Sequence, residues 1–181
     1  MPYEPPPDLA GLTLPEIARL ADARKLPPLD EWSPQLTADS LIRIAADGTW
    51  YHDGGVIRRA AMVRAFASLL MRDADGQHWL VTPFEKQLVE VEDAALLAVD
   101  VQQDGGALAF RLNTDDIIIA GPDHPIVARG DAETPAIYLS VRHGTEARLN
   151  RSTYYQLVDF GMNNSLSSVS SQGKIFSLVP A

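Results

Sequence analysis

The sequence predicts an α+β fold, and three observations predict it. A glycine turn, a short strand and an arginine-led apolar helix occur twice: Gly48-Thr49 leads to Val56-Ile57-Arg58-Arg59 and the run Ala60 to Phe66, and Gly144-Thr145 leads to Arg148-Leu149-Asn150-Arg151 and Ser152 to Val158. Beyond Pro83, strand-length apolar segments alternate with turn residues. The second helix closes that series, as expected of a bent antiparallel sheet or partial barrel covered by one C-terminal helix.

The elements follow in chain order. The start, Met1-Pro2-Tyr3-Glu4-Pro5-Pro6-Pro7, is a stiff proline-rich arm. Thr13 and Glu16 have the spacing of a capping box for a short helix with Ile17, Leu20 and Ala21 on one stripe, which Pro27-Pro28 ends. Residues 27–37 read as a connector anchored by Trp32. Leu41 to Ile44 turns at Asp47-Gly48 into Thr49-Trp50-Tyr51, and Asp53-Gly54-Gly55 turns again. The first repeat helix is expected over Arg59 to Met71, burying Val63, Phe66 and Leu70 and exposing Arg64 and Ser68. Asp73 to Gly76 is a hairpin signal that returns the chain through His78 to Val81. The meander then reads as Leu88 to Val91, Leu96 to Gln102, Leu108 to Leu112, Ile117 to Ala120, Ile137 to Val141 and Glu146 to Leu149, with the second helix near Ser152 to Gly161. A serine- and asparagine-rich tail from Met162 reads as mobile, with Ile175 to Leu178 as a candidate edge strand. These signals divide the chain into a proline-rich arm and short helix (1–35), an N-terminal α+β repeat (36–84) and a C-terminal β meander with capping helix and mobile tail (85–181).

Counted from Arg59 and from Arg151, both helices carry bulky apolar residues at the same helical offsets, Met62, Val63, Phe66 and Leu70 against Tyr154, Tyr155, Val158 and Met162. Any amphipathic helix does much of this. The upstream strands of the two copies are out of phase by one residue, so the helices carry the repeat better than the strands do.

Bulk properties narrow the function. A net charge of -9 over 181 residues argues against broad attraction to nucleic acid or anionic lipid. With no cysteine, disulfides, thiolate metal sites and a cysteine nucleophile are excluded. The N-terminal residues lack a secretory pattern and no apolar run reaches membrane-spanning length, so a cytoplasmic location is expected. Charge is nonetheless clustered: seven of the 15 Lys and Arg fall in residues 54–72 and 142–151, beside a single acid, Glu146.

Asp47-Gly48-Thr49-Trp50, the helix opening at Arg59, Leu80-Val81-Thr82-Pro83 with Glu85-Lys86, Val91-Glu92-Asp93, His124-Pro125, and Val141-Arg142 through Tyr154-Tyr155-Gln156-Leu157-Val158 together resemble an uncharacterised bacterial family, the domain-of-unknown-function family 1285. The resemblance covers roughly residues 36–161. It implies duplicated motifs, a second half superficially similar to pleckstrin-homology folds, a ligand site between the halves for a nucleotide-like molecule, and a role in signal transduction. It supplies no catalytic residue.

The candidate ligand set is Arg58, Arg59, Arg142, Arg148 and Arg151 with Tyr154 or Tyr155, Tyr155 being the favoured wall, and Thr82, Glu85, Lys86 and Glu146 beside them. Guanidinium forks match phosphate oxygens, and a tyrosine face stacks a base. The competing account pairs these arginines with Glu85, Glu90, Glu92, Asp93 and Glu146, in surface contacts worth about 0–1 kcal/mol each, and puts the tyrosines in the core. Thr82 to Lys86 reads equally as a ligand loop or as a solvated linker. Alternation with Val89 and Val91 puts Glu90 and Glu92 on one strand face, better explained as a wet surface than as a metal cluster. His52, His78, His124 and His143 lack zinc-ligand spacing, and neither a nucleophile elbow nor a phosphate-binding loop is present. No metal, cofactor or catalytic residue is therefore expected. The leading expectation is a non-catalytic ligand-binding or regulatory protein holding an anionic small molecule where the two halves meet. Its alternatives are a protein-interaction module acting through the proline-rich arm or a strand edge, and a small hydrolase or transferase using Glu85, Glu92 or His124.

Overall fold

The computed structural model describes residues 26–161 and 167–181. The proline-rich arm and the helix expected after Thr13 lie outside the described residues. A 3₁₀ turn at Leu29–Glu31 leads to β1 (Leu36–Ile44), β2 (Trp50–His52), β3 (Gly55–Val56), α1 (Ala60–Ala67), β4 (Leu70–Arg72), β5 (His78–Val81) and β6 (Glu85–Val91). Then come β7 (Leu96–Asp104), β8 (Ala107–Leu112), β9 (Ile117–Ile119), β10 (Ile126–Gly130), β11 (Pro135–Ser140), β12 (Glu146–Leu149), α2 (Arg151–Gly161), β13 (Ser168–Ser171) and β14 (Lys174–Ser177). The fold is α+β and dominated by sheet.

Two six-stranded sheets account for most of it, in the orders β3-β2-β1-β6-β5-β4 and β10-β11-β12-β7-β8-β9. Numbered within its own half, each sheet runs third-second-first-sixth-fifth-fourth. Each is thus two three-strand meanders joined side by side through the first and last strands. In the first sheet the joint is parallel, with Leu36 opposite Glu85 and Ile44 opposite Val91. The duplication therefore resides in the sheets. The helices occupy different places: α1 links the two meanders of the first half, whereas α2 follows the sixth strand of the second, whose meanders are linked by the short segment after Ile119.

Both helices differ from their sequence-based expectation in length or buried face. Rather than reaching Met71, α1 ends at Ala67, because Leu70–Arg72 pairs with His78–Leu80 across the Asp73–Gly76 turn and the hairpin ladder takes those backbone groups. Ala67 is its one buried residue. In α2 the buried positions are Thr153, Leu157 and Gly161, a stripe at four-residue spacing that turns Tyr154 and Tyr155 away from the core. Asn150 caps this helix, its Oδ1 accepting the Thr153 N–H at 2.9 Å.

Two compact units result: one holds residues 26–96 with Arg142–Glu146, the other Leu97–Val141 with residues 147–161 and 167–181. The first packs around Ile44, Trp50 and Leu70, the second around Leu108, Phe110, Leu112, Leu139 and Leu157, all nearly inaccessible to solvent. Where a mobile tail is expected, residues 168–177 form the β13–β14 hairpin, and residues 162–166 lie outside the described residues. Val169, Phe176 and Leu178 are buried, and Ser171 Oγ accepts the Leu108 N–H at 2.8 Å while donating to the Ala120 carbonyl at 2.6 Å. Alternating apolar positions, rather than the polar composition, decide the fate of this segment.

Candidate functional site

The candidate arginines separate into groups. On the first unit, Arg58 and Arg59 line a cavity of about 680 Å³, with Ile42, Leu80, Val56, Ile57, Met62 and Phe66 supplying its apolar walls and Ser40, His52 and Gln87 its other polar groups. The cavity lies where the chain leaves β3 and passes through Ile57 to Arg59 into α1. Val56 and Met62 remain 45% and 40% exposed. Arg59 is the N-cap residue of α1, and its side chain makes no capping bond. Among the described residues no carboxylate pairs with Arg58 or Arg59, and none lines the cavity.

On the second unit, Arg148, Arg151, Tyr154 and Tyr155 line a cavity of about 390 Å³ together with Glu133, Thr134, Ile137 and Leu149. Arg148 projects from β12 and lies over the Tyr138 ring, 5.8 Å from its centre; Arg151 opens α2 and lies 5.9 Å from the centre of the Tyr155 ring. The two tyrosine rings tilt at 60° with centres 5.6 Å apart. One wall is fixed by Asp131, whose Oδ1 accepts the N–H groups of Glu133 and Thr134 and the Thr134 hydroxyl. Those Thr134 bonds also hold the Asp131 carboxyl below its usual pKa. Tyr155 is 54% exposed, so it is not a core residue.

With this geometry in place, the chain can be compared with known proteins. A family model described as the N-terminal domain of DUF1285, a domain of unknown function, matches residues 27–94, and one described as the C-terminal domain of DUF1285, a protein of unknown function, matches residues 95–178. The chain belongs to the DUF1285 family. Among solved structures it is similar to a DUF1285 protein from Silicibacter pomeroyi DSS-3, at 37% identity over 91% of this chain and 95% of that one with a TM-score of 0.78. It is also similar to a DUF1285 protein from Shewanella baltica OS155, at 29% identity over 66% of this chain and 91% of that one with a TM-score of 0.55. No curated protein matches it.

Other candidate positions in this DUF1285 chain are engaged in local structure. Thr82 Oγ1 donates to the Glu85 carbonyl at 3.0 Å and accepts the Phe84 and Glu85 N–H groups, which makes it the organiser of the β5–β6 turn. Glu85 accepts from Gln87 Nε2 at 2.7 Å, and Lys86 Nζ sits 4.3 Å above the Trp79 ring. The Arg142 carbonyl accepts both the N–H and the hydroxyl of Thr145, and Glu146 lies 4.0 Å from Arg72. Of the acids proposed as arginine partners, Glu92 is taken by Arg43 at 2.9 Å and by the Ala46 N–H. His124 Nδ1 lies 3.1 Å from the Ser140 carbonyl, and His143 Nδ1 lies 3.0 Å from Asp30 Oδ1.

Sequence reasoning missed Met62 as a cavity wall and Glu133 and Thr134 as lining residues. The Asp131-x-Glu133-Thr134 spacing carried a usable signal, since a short acid two and three residues before N–H donors fixes a turn. Nothing local marked Met62, whose exposure depends on where α1 stops.

Proposed function

We propose that this protein is a non-catalytic, ligand-binding regulatory protein, and that an anionic, nucleotide-like small molecule occupies the cavity lined by Arg148, Arg151, Tyr154 and Tyr155. The observation that supports this most directly is two guanidinium groups and two tyrosine rings lining one cavity. Guanidinium forks bind phosphoryl oxygens in pairs, and an exposed tyrosine face stacks a base at about 1–3 kcal/mol. Its volume, about 390 Å³, falls within the range of small-molecule sites. In this reading the second half is a pleckstrin-homology-like scaffold, a sheet followed by a C-terminal helix, acting in cytoplasmic signal transduction. Membrane association by a spanning helix is not part of it: among the described residues no helix is long and apolar enough to cross a bilayer.

Calorimetry with a panel of nucleoside mono- and diphosphates tests the reading. Wild type binds at least one member, and Arg151→Ala weakens it roughly tenfold or more, the loss expected for a charge-assisted hydrogen bond. Absence of binding to wild type, or an unchanged affinity in Arg151→Ala, rejects it.

A further inference from the structure

We propose that the cavity beside α1 is a second, separate ligand site, one that takes a linear alkyl carboxylate with its chain against Val56, Met62 and Phe66 and its head at Arg58 and Arg59. The cavity measures about 680 Å³, ample for a small molecule. Its apolar lining is unusual in being left open, with Val56 and Met62 both substantially solvated although Ile42 and Leu80 beside them are buried. Exposed apolar surface that is contiguous and concave marks a binding surface more often than an accident of folding.

Charge selects the class of ligand. Two cations and no acids line this cavity, in a chain whose net charge is -9. Neither arginine is neutralised by a carboxylate among the described residues, so the local potential opposes that of the whole protein. The Ser40 hydroxyl is already committed, donating to the Leu88 carbonyl at 2.6 Å and accepting the Ile42 N–H. The Gln87 amide N–H is likewise committed, donating to Glu85 at 2.7 Å, so that beside His52 the two arginines supply the charge that attracts a ligand. A purely apolar ligand would make no use of them. A nucleotide would lay most of its sugar and base edges against apolar groups that offer no hydrogen bonds. A single anionic head on an apolar chain satisfies both halves of the lining. The uncapped first turn of α1 lies next in sequence to the arginines and favours negative charge there.

The test is calorimetry with hexanoate, octanoate and decanoate below their micelle-forming concentrations, and with the corresponding alcohols, against wild type. Affinity rises about fourfold per added methylene, the equivalent of burying one CH₂, until the cavity is filled. Carboxylates bind at least about tenfold more tightly than alcohols of the same length, as charge-assisted bonds require. The double variant Arg58→Ala, Arg59→Ala erases that preference, Met62→Glu abolishes binding of both series, and Lys174→Ala, a change at an exposed cation of β14, alters neither. All altered side chains are exposed, and circular dichroism melts confirm that each variant is folded. The proposal fails if wild type binds no carboxylate, if alcohols bind equally well, or if the arginine pair can be removed without effect. It fails equally if wild type is a dimer in light scattering that Met62→Glu dissociates, because the cavity wall is then an interface between copies.

Discussion

At Gly144 the backbone runs at φ +76°, and a Cβ there would lie 2.5 Å from the Arg72 carbonyl oxygen. Gly54 has a similar φ of +81° with nothing within 4 Å of its missing Cβ. Substitution by alanine separates two costs. Gly54→Ala should lose about 1 kcal/mol from left-handed strain alone, and Gly144→Ala about 3 kcal/mol from strain plus overlap, as read from urea midpoints. His78 offers a second test. Burial lowers its pKa below the ordinary 6.5, with the Arg72 charge adding to the effect and Glu146 and Asp73 opposing it. The folded state thus prefers the neutral ring while the unfolded chain binds the proton, so stability is full above pH 6.5 and falls as the pH drops through the folded pKa. Urea midpoints at pH 5 and pH 8 should differ more for wild type than for His78→Gln. No sequence signal marked His78 apart from the other three histidines, since its burial comes from pairing opposite Val89 on β6.

Among the elements, α1 lacks a side-chain cap at its start. Its N-cap position has extended backbone, φ -81° and ψ 108°, suited to a capping side chain, yet Arg59 occupies it and makes no cap. Arg59→Asp should therefore raise the thermal midpoint, by an amount equivalent to about 1 kcal/mol, while abolishing binding of alkyl carboxylates. A gain in stability coupled to a loss of binding is the signature of a residue kept for its ligand. The β13–β14 hairpin shows the opposite character. Ser171→Ala removes the partner of both the Leu108 N–H and the Ala120 carbonyl at a fully buried position, and should cost about 2–3 kcal/mol in chemical denaturation. Strands such as β5 and β12 were legible to the residue because alternation and flanking turns are local properties. The end of α1 was not, since an apolar run from Ala60 to Met71 satisfies both a helix and the helix-then-strand that forms; pairing with residues 78–80 decides between them.

For the whole molecule, the repeated pattern in the sequence was genuine but attached to the wrong part. The two arginine-led helices look alike over a dozen residues, yet they hold different positions relative to their sheets, and it is the sheet order that recurs. Sheet order was invisible because the first strand of a half pairs with its last, and no local pattern registers a partner so far along the chain. The same distance explains why Arg58 with Arg59, and Arg148 with Arg151 and Tyr155, were legible as pairs near in sequence while the remainder of each cavity was not. The joint has a kinetic correlate. Val89→Ala, at the parallel joint opposite Ile42, should speed unfolding more than it slows refolding in stopped-flow chevrons, because sequence-distant pairing is completed late.

The same joint matters while the protein is being made. On the ribosome, β1 emerges well before the strand that will cover it, and at synthesis rates of about 5–20 residues per second it waits roughly 2–10 s for β6. For that interval it is an unpaired edge able to join strands of other nascent chains. Its irregularity between Asp39 and Ile42, where Leu41 takes φ 57° and gives its N–H to the Asp39 carboxylate, interrupts the straight ladder such a pairing needs. The bulge in β1 is, in this light, a safeguard of biosynthesis as much as a feature of the finished sheet.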